Sequence, residues 1–150
     1  MLPRFWLSLI FLALAGCADS PPPPPPPPQE NPVIPVPAGV VLPAGMPNDN
    51  WFYETVVQSK VPVLVDFTAT WCPPCQAMKP AIHQIEKDYG GRLKVVEVDI
   101  DERPNLSDHF RVDGIPHLMV IQNGVIQADA SGQHSYARIV TLLKPTVSPH

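Results

Sequence analysis

Two cysteines carry the clearest chemistry in this chain. Cys72 and Cys75 flank two prolines in the run Trp71-Cys72-Pro73-Pro74-Cys75. Sulfurs three residues apart, held within one helical turn, can close a small disulfide and open it again. A thiolate attacks a foreign disulfide, and the second thiol then releases the product as the internal disulfide forms. Two other uses of the pair fit less well. A structural zinc site takes about four ligands, and beyond this pair the chain has only Cys17 and no second CxxC. A structural disulfide around so short a loop stabilises little. The spacing points to thiol–disulfide exchange.

Elements on either side must position the pair. Val61 to Phe67 reads as a strand, apolar throughout except at Asp66. Cys72 to Tyr89 reads as a helix, with Met78, Ala81, Ile82, Ile85 and Tyr89 at helical spacing. Pro80 should kink it, and Gly90-Gly91 should end it. The motif then opens a helix directly after a strand. Free amides and the dipole at a helix N-terminus favour a thiolate. Cys72, the first residue, is expected to face solvent as the nucleophile. Cys75, one turn deeper, is expected to be the resolving cysteine. A lone Asp inside an apolar strand is costly unless it is paired or functional, which makes Asp66 the third catalytic candidate.

The rest of the domain reads in the same way. Asn48 can cap a helix through Ser59, with Phe52 and Val56 on one face. Leu93 to Ile100 is a β-branched strand, and Asn105 to Phe110 a short helix. His117 to Gln122 and Val125 to Ala130 are strands joined at Asn123-Gly124, a strong hairpin signal. Ser135 caps a last helix to Lys144, with Tyr136, Ile139, Val140 and Leu143 inward. The expected class is α/β, a mixed central sheet with helices on both faces.

Residues 61 to 144 resemble the thioredoxin superfamily. The matching pieces are Val65-Asp66-Phe67, the Trp71–Cys75 motif, Pro80, Val98-Asp99-Ile100-Asp101, Gly114-Ile115-Pro116, Asn123-Gly124 and Gly132. The resemblance implies the thioredoxin fold. It implies that Pro116 is a cis-proline facing the disulfide and that Ile115 offers backbone hydrogen bonds to a bound substrate strand. Trp71, Pro73 and Pro74 complete the expected substrate-binding surface. It also implies that Asp66 relays a proton to and from Cys75. Three positions depart from the family pattern. Thr68 stands where an aromatic is usual, Glu97 where a lysine is usual, and His117 where a threonine is usual. If Glu97 points inward, two carboxylates share the site and one pKa rises; if outward, it is a surface charge. His117 tunes the thiolate, contacts substrate, or is inert.

The first 47 residues have a different composition. Of the 22 prolines, more than half lie between Pro21 and Pro47. Arg4 followed by the apolar run Phe5 to Ala15 fits a secretory signal and is too short to span a bilayer, which takes roughly 20 apolar residues. Leu14-Ala15-Gly16-Cys17 resembles the bacterial lipobox, which implies lipidation at Cys17 and anchoring in a bilayer. Ala18, rather than Asp, leans the family's sorting rule towards the outer membrane. The unbroken prolines Pro21 to Pro28 form a stiff polyproline II spacer. The expected organisation is a signal over 1–17, a Pro-rich linker over 18–47, a thioredoxin-like domain over 48–145 and a tail over 146–150.

The formal net charge of −4 comes with no basic cluster, so nucleic acid is not an expected partner. Neither a cofactor nor a bound metal is expected. The reading is an extracytoplasmic, membrane-tethered enzyme that exchanges disulfides with protein substrates. Pro73-Pro74 and Ile115 resemble reducing members of the family. A reductase in an oxidising periplasm needs a membrane electron donor. A dithiol oxidase or isomerase is the alternative enzyme. A non-enzymatic copper carrier is the alternative of another class, although the copper carriers of this fold use a longer CxxxC spacing.

Overall fold

The computed structural model describes residues 40–41 and 50–147. The segment expected to be a signal, with Cys17, together with Asn48, most of the Pro-rich segment and the last three residues, lies outside the described residues. Strand β1 is Val40–Val41. Helix α1, Asn50–Phe52, runs on into a wider π-helical turn, Tyr53–Val57. Then follow β2 (Val63–Thr68), α2 (Pro73–Tyr89), β3 (Lys94–Asp99) and α3 (Pro104–His109). The chain continues through β4 (His117–Gln122), β5 (Val125–Ser131) and α4 (Tyr136–Leu143).

The sheet order is β1-β5-β4-β2-β3. Among the described strands only β2 and β3 pair in parallel, with α2 as the crossover that a parallel pair requires. The other pairings are antiparallel. Strand β1 takes two valines from the segment read as linker and sets them against Val125 and Ile126. The β4–β5 hairpin turns at Asn123-Gly124, both at positive φ (53° and 71°), as a two-residue primed turn requires.

Alternation along the strands divides the core in two. Val65, Phe67, Val96, Val98 and Met119 pack on one face with Phe52, Val56 and Leu106. Leu64, Leu118 and Val120 pack on the other with Met78, Ile82 and Ile85 of α2 and Ile139, Leu142 and Leu143 of α4. This is the mixed sheet covered on both faces that the sequence predicts.

Two local expectations change. The first helix does not reach Ser59; it ends at Val57. Tyr136 is not inward. It stands at the first turn of α4, exposed, and its hydroxyl donates to Asp88 Oδ2 at 2.8 Å. Leu142 takes the buried place instead.

Candidate active site

Helix α2 begins where its sequence permits. Pro73 and Pro74 occupy the first helical positions, where no amide donor is needed, and both are exposed. Cys72 is the N-cap, and its Sγ accepts the Cys75 amide at 3.2 Å. The two sulfurs form a disulfide with the Cα atoms 5.3 Å apart. Gly90, in the left-handed conformation, closes the helix. Pro80 lies inside it without ending it.

Cys72 does not face solvent in this oxidised form. It is 2% exposed, against 1% for Cys75. Both sulfurs pack with Ala69, and Ile100 and Ile115 press on the cluster from two other loops. Exposure therefore does not rank the two cysteines. Capping does: the sulfur of Cys72 receives an amide hydrogen bond that favours a negative charge there.

The Ile115–Pro116 peptide is cis. Pro116 is buried and its carbonyl accepts the Gly132 amide at 2.7 Å, tying this loop to the end of β5. Gly132 sits at φ 92°, a region that suits glycine. Trp71 is 62% exposed, and its indole donates to Asp101 Oδ2 at 2.6 Å. Trp71, Pro73 and Pro74 thus form an exposed rim beside the disulfide, with Ile115 half-buried against it. Asp101 was legible only as part of a motif; its hold on Trp71 spans thirty positions, which no local pattern reports.

Asp66 is 1% exposed, and its Oδ1 has no hydrogen-bond partner. It lies on the sheet face covered by α2, the side to which Cys75, Met78 and Ile82 turn. Burial, reinforced by the Glu97 charge and opposed by Lys79, pushes its carboxyl from 3.8 up to about 7.

Glu97 resolves in an intermediate way. The parallel register sets it directly beside Asp66. Its side chain nevertheless reaches the surface, where Lys79 Nζ lies 3.4 Å from Oε2. Lys79 was not a sequence candidate; its place four residues after Cys75, on the same helix face, was the available signal. His117 lies on the opposite sheet face. Its Nε2 is 2.7 Å from Asp129 Oδ1, and its ring stands edge-on to Phe67. His109 is half-buried and edge-on to Phe110, and His83 is exposed.

Among the described residues no cluster of three or more His, Cys, Asp or Glu side chains is arranged to hold a metal. A thiol pair, a buried acid and an apolar rim make an arrangement suited to exchanging a disulfide with a peptide substrate.

Comparison with known proteins agrees with that geometry. Residues 45–145 match the family model described as Thioredoxin. A thioredoxin of Acidithiobacillus ferridurans is 38% identical over 96 residues, covering 64% of this chain and 89% of that protein. A thioredoxin of Rickettsia felis is 42% identical over 76 residues, covering 51% of this chain and 72% of its own length. The chloroplastic M-type thioredoxin of Chlamydomonas reinhardtii is 42% identical over 81 residues, and the match spans 54% of this chain and 58% of that one. The chain belongs to the thioredoxin family, as a disulfide oxidoreductase with a redox cysteine pair.

Proposed function

We propose that this thioredoxin-family chain is a lipid-anchored, extracytoplasmic reductase of protein disulfides. The observation that carries the redox reading is the Cys72–Cys75 disulfide at the N-terminus of α2, with the Cys72 sulfur capping the helix. Cys72 Sγ, as thiolate, attacks one sulfur of a substrate disulfide and expels the other. Cys75 then loses its proton to Asp66, and its Sγ attacks Cys72 Sγ. The mixed disulfide breaks, the internal disulfide forms, and the substrate leaves with two electrons as a dithiol. Ile115, beside the cis-proline, is placed for main-chain hydrogen bonds to the substrate strand, and the Trp71–Pro74 rim for apolar contact.

The anchor rests on sequence: the Leu14–Cys17 lipobox and the polyproline spacer after it. Eight prolines at about 3.1 Å each would hold the domain roughly 25 Å from the lipid. The outer membrane is favoured by Ala18. Re-reduction then falls to a membrane electron donor, because the periplasm is kept oxidising. Incorporation of radiolabelled palmitate that is lost in Cys17→Ala tests the anchor.

Direction is tested by equilibrating the full chain, in detergent, against glutathione and dithiothreitol buffers. A potential near roughly −270 mV, the thioredoxin value, supports the reductase; one near roughly −120 mV makes the protein an oxidant and overturns it.

A further inference from the structure

Asp66 is buried, but two of its neighbours, Thr68 on the same strand and Glu97 across the β2–β3 pair, line a cleft of about 240 Å³ together with Gln76, Lys79, Asp99 and Glu102. Glu97 stands next to Asp66 in the parallel β2–β3 register, so both side chains leave the same face of the sheet. Lys79 comes down from α2, one turn beyond Cys75, and meets Glu97 across the cleft. The separation is 3.4 Å and the side chains are 36% and 37% exposed. An ion pair so exposed contributes little to stability. Its position next to a buried, unpartnered carboxyl gives it another use.

We propose that Lys79 and Glu97 are positioning residues for proton transfer at Asp66, setting by their opposed charges how readily Asp66 takes the proton of Cys75. The inference rests on the exchange mechanism above. In that step the Cys75 S–H bond breaks and the proton passes to Asp66. The freed electron pair forms the Cys72–Cys75 bond as the bond to substrate breaks. Asp66 afterwards gives the proton up to solvent. Glu97 holds the proton on Asp66, and Lys79 draws it off. Strand β4 sets Leu118 opposite Asp66, α2 turns Cys75 to the same sheet face, and Asp99 and Glu102 also line the cleft. Lys79 is the only cation lining the cleft, so its effect and that of Glu97 should be separable by single substitutions.

The test uses the full chain in detergent micelles with Glu97→Gln, Lys79→Gln and the double variant. Two quantities are read. One is the titration midpoint of the Asp66 carboxyl in the oxidised chain, by carbon-13 NMR. The other is the pH profile of single-turnover reduction of a disulfide-linked, fluorophore-quencher peptide by the dithiol chain. Asp66 accepts a proton only when ionised, so the rate rises with pH through its midpoint. Glu97→Gln is expected to lower the midpoint and move the acid limb down by about half a pH unit, a roughly threefold gain in rate on that limb. Lys79→Gln is expected to move both upward by a similar amount, and the double variant to return close to the parent. High salt should shrink each shift, because the pair is exposed. Midpoints that stay put, that move the same way, or that move without the rate following would overturn the proposal. An Asp66→Asn chain with an unaltered acid limb would instead remove the role of Asp66 on which the proposal rests.

Discussion

Replacing Asp66 by Asn should stabilise the protein, and only where the carboxyl is charged. Burial pushes Asp66 from 3.8 up to about 7. Between those values the folded chain keeps a proton that the unfolded chain has released. Stability therefore falls as pH rises through this window, by about 1.4 kcal/mol per pH unit. Across the window the loss sums to about 4 kcal/mol, and it levels off above pH 7. Asn has nearly the same shape and cannot ionise, so it removes this loss and leaves the packing around residue 66 in place. The assay is urea unfolding of the oxidised parent and variant at intervals from pH 4 to pH 9. The two should converge near pH 4 and separate by up to about 4 kcal/mol above pH 7, with the variant the more stable. A gap of constant size across the range would refute the reasoning, because it would arise from shape or hydrogen bonding rather than from charge.

Other substitutions follow from the same geometry. Cys72→Ser should abolish turnover, whereas Cys75→Ser should accumulate mixed disulfides with substrate, read as mass adducts that dithiothreitol removes. Tyr89→Phe should be neutral or stabilising by up to about 1 kcal/mol in thermal unfolding, because the buried Tyr89 hydroxyl has no partner to lose. Gly132→Ala should destabilise by about 1–3 kcal/mol in urea, since an L side chain at φ 92° is strained. It should also weaken substrate binding, seen as a raised KM, by loosening the tie from the Gly132 amide to the Pro116 carbonyl.

The parts of this structure that sequence reveals are those fixed by local rules. Asn123-Gly124 names its own turn, Ser135 its own cap, and the Cys72-Pro73-Pro74 run its own helix start. What local rules miss depends on distant partners. Cys72 is covered by Ile100 and Ile115, which arrive from other loops, so its burial is invisible from its place at a helix end. The π-helical turn keeps Phe52 and Val56 buried, the same pair that an α-helix would bury, so the hydrophobic pattern cannot tell the two apart. Tyr136 looks inward by period alone, but it stands before the stretch of α4 that packs on the sheet and finds Asp88 instead. Glu97 had two readings from sequence because its neighbour across the sheet depends on register, and the parallel pairing with β2 places that neighbour at Asp66.

The same burial accounts for the cost of Asp66 and for the use proposed for it. An acid between Val65 and Phe67 in a central strand, with Leu118 opposite, weakens the fold at neutral pH for no structural return, since its Oδ1 bonds to nothing. Moving it to solvent would recover that stability and bring its pKa back towards the ordinary 3.8. At that value it would be a poor acceptor for the proton of a buried thiol. Held at about 7, it lies close enough to the usual thiol value of about 8.5 to take a proton and return it in each cycle. A carboxyl that destabilises the chain in this way is better explained by its chemistry than by its contribution to the core. Losing the pH dependence of turnover while gaining stability, both in Asp66→Asn, is the joint result that a structural role for Asp66 would not produce.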